Sequence, residues 1–166
     1  MSACEPTAGP GAAAVVIAST RAALGVYPDR SGPIIQDWLA EHGFDAAAPV
    51  VVPDGEPVGA ALRAVLAQHP AVVITSGGTG LSPTDQTPEM TRPLLEREIP
   101  GIMEAIRAAG LAKTPMAALS RGHAGLAGST VIVNLPGSPS GVMDGLAVLD
   151  PLIIHLCEQV AGTHGH

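Results

Sequence analysis

Residues 71–80 read AVVITSGGTG, an apolar run that empties directly into glycines. A strand apolar on both faces belongs inside a parallel sheet. Glycines at its carboxyl end let backbone N–H groups come up against an anion. Further apolar runs lie at residues 14–18 (AVVIA) and 48–52 (APVVV). Between them Ile34, Ile35, Trp38 and Leu39 recur at helical spacing after Ser31 as cap and Pro33 in the first turn, and Gly43 ends the helix. Leu62, Val65 and Leu66 mark a second helix over residues 58–68. This alternation implies a three-layer α/β/α fold with a mostly parallel central sheet and right-handed crossovers. Ligands of such sheets gather where the strands end. Ser19, Asp54 and Ser76 each follow a strand and are expected along one rim.

Downstream, Thr87-Pro88-Glu89 reads as a helix start, with the helix running over residues 89–98 until Pro100 breaks it. A helical pattern resumes over residues 102–109. Residues 116–119 and 130–134 read as two strands joined by a glycine-rich loop, and a last helix runs from Ser138 or Pro139 to about residue 160. Residues 1–11, rich in Pro, Gly and Ala, are expected to form a loose tail before a single domain over residues 12–162.

The 166 residues suit one core, and 46% hydrophobic residues can fill it; with aromatics at 2%, aliphatic side chains must do the packing. A net charge of −7 argues against a nucleic-acid groove, which needs clustered Lys and Arg. No apolar run approaches the roughly 18 residues of a membrane span. Cys4 and Cys157 lie near opposite ends without zinc spacing, so free thiols and a cytoplasmic location are expected.

The glycine segment is neither of the familiar nucleotide loops. A P-loop needs GxxxxGK[ST], and no such Lys is present; a dinucleotide fingerprint needs a third glycine where Pro83 stands. What remains is an anion loop, Ser76, Gly77, Gly78, Thr79 and Gly80, with Asp85 behind it. Asp54 follows the neighbouring strand, so two carboxylates could hold Mg²⁺ against a polyphosphate. Each acid alone also fits an ordinary turn or cap. Pro136-Gly137-Ser138 again places glycine and a hydroxyl between a strand and a helix. Arg121, after Ser120, is either a phosphate contact or a solvated loop residue. Glu104 is by itself a helical surface acid, and His123 has no second ligand at metal spacing.

Together these segments resemble the MogA/MoaB family of molybdenum-cofactor biosynthesis, the molybdopterin adenylyltransferase fold. The marks are Asp29-Arg30-Ser31-Gly32-Pro33, Val52-Pro53-Asp54, the 76–80 loop with Asp85 and Thr87-Pro88-Glu89, Pro100-Gly101 with Glu104, Leu119-Ser120-Arg121, and NLPGSP at 134–139. The resemblance extends over about residues 15–162. It implies transfer of AMP from Mg-ATP to the molybdopterin phosphate, a homotrimer, and other molybdenum-cofactor biosynthesis proteins as partners. It also implies Asp54 and Asp85 as the acids acting through Mg²⁺, with Glu104, Ser120 and the Pro136-Gly137-Ser138 turn lining the pocket.

Three positions depart from the pattern of many relatives. Ser19-Thr20-Arg21 stands where Ser-Asp is common, Thr84 where Arg precedes the loop acid, and Ser140-Gly141 where Lys-Ala follows the last turn. An alternative is therefore a family member that binds molybdopterin with little or no adenylyl transfer. A scaffold role and a nucleotide pyrophosphatase are further alternatives, the first lacking a second domain in these residues and the second an evident base near the loop.

Overall fold

The computed structural model describes residues 8–163; residues 1–7 of the expected tail, with Cys4, and residues 164–166 lie outside the described residues. The expected parallel framework is present. It consists of β1 (Ala12–Ala18), β3 (Val50–Val52), β4 (Val72–Ser76) and β7 (Thr130–Leu135), to which a two-residue strand not expected from the sequence, β2 (Asp45–Ala46), is added. With β5 (Arg97–Glu98) and β6 (Ala124–Ala127) the sheet has seven strands in the order β2-β1-β4-β7-β6-β5, and β3 also pairs β1. β1, β2, β3, β4 and β7 run parallel. β6 and β5 complete a mixed sheet through antiparallel pairs.

The two faces carry separate cores. Val15, Ile17, Ile74, Val133 and Leu135 pack under helices α2 (Ser31–Glu41), α5 (Pro100–Leu111), α6 (Pro139–Leu149) and α7 (Ile153–Ala161). Val16, Val73 and Ile132 pack against Val58, Ala61 and Leu62 of α3 (Glu56–Leu66). The central strands are thus apolar on both faces, as β4 shows by being buried along its whole length. Cys157 on α7 carries a free thiol whose pKa burial pushes up to about 11. No single described helix is long and apolar enough to cross a membrane.

Several local expectations are corrected. Residues 116–119 are not a strand but part of a 3₁₀ helix, Pro115–Leu119, with Pro at its start and the Thr114 hydroxyl accepting from the Met116 amide. The antiparallel partner of β7 is instead β6, joined through Gly128 at φ 59°, as the first central position of a type II′ hairpin requires. The helix expected over residues 89–98 stops early. α4 (Thr87–Thr91) gives way to a 3₁₀ turn, Arg92–Leu94, and then to β5. Pro93 has no N–H and its ring crowds the carbonyl four residues back. The last helix is two, α6 and α7, bent by 57° around Pro151. The stretch after β1 is not all loop, since Ser19 caps the single turn α1 (Thr20–Ala23). Ser31 does not cap α2. It is the first helical residue, and Asp29 Oδ1 accepts from the Ser31 and Gly32 amides at 3.1 and 3.0 Å.

One polar cluster lies inside the apolar framework. Asn134 on β7 is fully buried; its Oδ1 accepts from the His123 amide at 2.9 Å. Its Nδ2 donates to Thr75 Oγ1 at 2.9 Å and Thr91 Oγ1 at 3.0 Å. Thr91 Oγ1 donates to the Thr87 carbonyl at 2.8 Å, and the Thr87 amide to the Gly78 carbonyl at 3.1 Å. β4, β7, α4 and the glycine loop are held in one chain of bonds. Asn134→Leu strands these partners in the core and is expected to cost about 2–4 kcal/mol. Urea denaturation would measure it, and an unchanged midpoint would show that the cluster contributes nothing.

Candidate functional site

The strand register builds the rim. Ala18 pairs with Val52, Ile17 with Ser76, and Ser76 with Leu135. The chain therefore leaves β1, β3, β4 and β7 at one level, and the segments that carry Ser19, Asp54, Gly77 and Pro136 emerge side by side. Gly77 (φ 92°) and Gly78 (φ 66°) turn the chain in the left-handed region. A Cβ at Gly77 would stand 2.3 Å from the Ala18 carbonyl oxygen, and one at Gly137 would stand 3.2 Å from Gly77 Cα. Two backbone turns meet here with no side chain between them. Ser76 Oγ donates to the Pro136 carbonyl at 2.7 Å, and Ser31 Oγ to the Gly137 carbonyl at 3.3 Å.

Two cavities open on either side of this junction, and both are lined by Gly78, Asp85 and Gly137. The first, about 420 Å³, lies toward α5, the 3₁₀ helix and α6. Ile106, Met116 and Leu119 give it apolar walls, while Arg107, Lys113 and Asp144 add charge. Lys113 Nζ pairs with Asp144 Oδ1 across it. The second, about 760 Å³, lies toward α1 and α2 and is lined by Arg21, Tyr27, Asp29, Arg30, Asp54 and Thr84 among others. The Arg21 guanidinium sits over the Tyr27 ring at 5.3 Å.

The two acids are half-buried and held differently. Asp54 Oδ2 accepts from the Thr20 hydroxyl at 2.8 Å and the Thr20 amide at 3.2 Å, so α1 binds it by its first residue. Among the described residues no group donates to Asp54 Oδ1, which lies 3.2 Å from where a Gly78 Cβ would be. Asp85 Oδ2 accepts from the Ser82 amide at 3.1 Å within a tight turn. Among the described residues no cluster of three His, Cys, Asp or Glu could hold a metal. Two carboxylates with free oxygen lone pairs on one cavity wall suit Mg²⁺, which keeps waters and takes phosphate oxygens for the rest of its octahedron.

The other expected site residues fall into three groups. Thr79, Gly80, Ser120, Pro136 and Ser138 line the first cavity, Ser138 also capping α6 by accepting from the Gly141 amide at 3.1 Å. Arg121 is committed to the loop. Its Nε donates to the Gly80 carbonyl at 2.8 Å, its Nη2 to the Asp85 carbonyl at 3.0 Å, and its Nη1 pairs with Glu89. Glu104 is exposed on α5 and lines neither cavity. His123 Nδ1 lies 3.3 Å from Glu98 Oε1, away from both acids' bonds. Arg30, Lys113, Arg107 and Asp144 went unassigned in the sequence. Arg30 stood inside a quoted motif; the other three sit on or just after helices, where spacing alone does not say which residue faces a cavity.

The hydrogen bond from Arg121, followed by smaller causes, holds the Glu89 carboxyl below its ordinary value. A carboxyl lowered on folding stabilises at pH above the unfolded value and loses that contribution as pH falls through the folded one. The stability difference between the native chain and Glu89→Gln is therefore expected at neutral pH and to vanish on acidification below about pH 4. Both partners are partly exposed, so about 0.2–1 kcal/mol is the expected size. Denaturant titrations across pH would check it, and a difference that grows toward acid pH would contradict the pairing.

Residues 14–155 match the family described as a probable molybdopterin binding domain. Over 156 residues the chain is 41% identical to a molybdenum cofactor biosynthesis bifunctional protein of Synechococcus elongatus, covering 92% of this chain and 49% of that protein. The chain thus spans about half the length of that bifunctional relative. It is 32% identical to a molybdopterin adenylyltransferase of Helicobacter pylori, covering 90% of this chain and 88% of the relative. A solved molybdopterin biosynthesis Mog protein from Mycobacterium ulcerans superposes with a TM-score of 0.87 at 54% identity, covering 90% of this chain and 98% of that one.

Proposed function

The chain belongs to the MogA/MoaB family of molybdopterin-binding domains and has a role in molybdenum-cofactor biosynthesis, and from that premise we propose that it transfers AMP from Mg-ATP to the terminal phosphate of molybdopterin. The observation that carries this reading is the pair of cavities that meet at Gly78, Asp85 and Gly137, with Asp54 on the wall of only one. A bisubstrate transfer between two anions needs two sites that share one corner. The first cavity, with apolar walls and an ion pair, suits a flat heterocycle with polar edges. The second offers the Arg21 and Arg30 side chains, which suit a nucleoside triphosphate.

In the proposed step a pterin phosphate oxygen forms a bond to the α-phosphorus of ATP. The bond from that phosphorus to the bridging β-oxygen breaks, and pyrophosphate leaves. The nucleophile is already an anion, so no general base is required. The protein's work is to hold two anions in line. Gly77 and Gly78 let the backbone approach the reacting phosphates without side chains, and oriented N–H groups favour the charge there. Asp54 and Asp85 would hold Mg²⁺, which when bound neutralises triphosphate charge. Arg121 fixes the loop that presents Asp85. A homotrimer in the cytoplasm, working beside other molybdenum-cofactor biosynthesis proteins, is part of the same reading; light scattering would give a mass three times that of one chain.

The test is direct. Purified protein with molybdopterin and Mg-ATP is expected to yield adenylylated pterin and pyrophosphate, measured by chromatography. Asp85→Ala is expected to lower turnover by about 10²–10³-fold with pterin affinity nearly unchanged, and wild-type turnover in this variant would exclude Asp85 from the proposed role. A second reading is pterin binding without transfer. It is favoured by Thr84, which bonds to Ser82 at 3.3 Å and puts no cation beside Asp85. Pterin binding with no adenylylated product would select it.

A further inference from the structure

The Thr87 hydroxyl is the only buried side-chain oxygen or nitrogen without a hydrogen-bond partner among the described residues. Thr87 is 1% exposed. Buried hydroxyls at helix starts ordinarily cap a backbone amide or bond back to a carbonyl. This one does neither, although its own amide and carbonyl are both bonded. The point where a Cβ would stand at Gly78 lies 2.3 Å from Thr87 Oγ1 and 3.2 Å from Asp54 Oδ1. The two oxygens are therefore at most roughly 5.5 Å apart, and since Thr87 Oγ1 is sealed from water, a rotation of the Asp54 carboxylate rather than a bridging water would bring them within bonding distance. Asp54 Oδ1 has no donor among the described residues, while Oδ2 is held by Thr20. A donor lacking an acceptor and a carboxylate oxygen lacking a donor face one another across a glycine.

We propose that Thr87 is a positioning residue for Asp54, donating its hydroxyl to Oδ1 when the Asp54 carboxylate turns toward it beside Gly78. Thr20 then fixes one carboxylate oxygen and Thr87 the other, so the plane of the carboxylate is set from both sides. Each oxygen keeps a lone pair for the cavity. Gly78 acquires a second reason to lack a side chain, since any Cβ there would stand in this gap. The buried chain from Asn134 through Thr91 ends on the Thr87 carbonyl and so fixes the backbone that carries the hydroxyl. The proposal rests on the reading of Asp54 as an acid of the transfer site.

Thr87→Val keeps the shape and removes the hydroxyl; Thr87→Ser keeps the hydroxyl and removes the methyl group. High-resolution crystal structures of the native protein and both variants are the first arm. The native protein and Thr87→Ser are expected to show the hydroxyl bonded to Asp54 Oδ1, and Thr87→Val a rotated or split Asp54 carboxylate. An Asp54 carboxylate that is the same in all three overturns the proposal. In the second arm, Thr87→Val is expected to lower kcat about 10–100-fold with KM for molybdopterin and thermal midpoint unchanged, and Thr87→Ser to restore kcat. Native kcat in Thr87→Val, or a Thr87→Ser as impaired as Thr87→Val, also overturns it. Native protein that makes no adenylylated pterin removes the transferase reading instead, and the crystallographic arm then decides the proposal by itself.

Discussion

Everything at this rim depends on the contact between the turn after β4 and the turn after β7. Gly137 approaches Gly77 closely, and Gly77 approaches the end of β1 so closely that no Cβ fits. Three strand ends converge on backbone alone. That convergence needs the parallel register of β1, β4 and β7, which sets their last residues level. It also needs hydroxyls rather than bulk to tie the turns, as Ser76 and Ser31 do. The cavities are the spaces left on each side. A side chain at Gly77 would displace β1 from β4 and open the shared corner, so fold and site are one constraint here.

Charge is distributed to match. The chain holds 15 acids and 8 bases. Arg21, Arg30, Arg107 and Lys113 line the two cavities, against Asp29, Asp54, Asp85 and Asp144. Half of the chain's cations thus lie where side-chain charges balance, and the acidic surplus lies elsewhere. The acids at the cavities are also partly used up by neighbours. Asp29 holds the start of α2, Asp144 pairs with Lys113, and Asp54 Oδ2 holds Thr20. Anions can approach a rim whose carboxylates are engaged, and oriented N–H groups add to that tolerance.

The central strands and the rim were legible because they obey one local rule: an apolar run, then glycine or a hydroxyl. β1, β3, β4 and β7 fall where the runs lie; Asp54 follows β3, Ser76 closes β4 and Gly137 follows β7. The segment over residues 89–119 was not legible in the same way. Its apolar residues fit helix or strand equally well over short lengths, and proline decided the outcome. Pro93 cut the helix after Thr91, and Pro115 opened a 3₁₀ turn where Met116 to Leu119 had looked extended. The missed strand, AGLA, is too small and glycine-containing to carry a β signal, and tertiary pairing with β7 forms it. Lys113 and Asp144 meet only because α5 packs on α6, which spacing along the chain cannot report.

Thr84 and Arg121 separate two requirements that the sequence presents as one. A cation beside the loop acid would serve both to hold the loop and to attract phosphate. Here Arg121, from a distant segment, holds the loop by bonding the Gly80 and Asp85 carbonyls and Glu89. Asp85 is thereby placed without a basic neighbour in sequence, and its own turn is closed by Ser82. Attraction falls to Arg21 and Arg30, which line the second cavity together with Thr84 and Asp85. The substitution at position 84 therefore removes charge from the loop without removing order from it. Loss of transfer with retained pterin binding would trace to the electrostatics of the second cavity, since Asp85 itself is held by the Ser82 amide and Arg121, and the Thr84 hydroxyl bonds only Ser82 Oγ in the same turn.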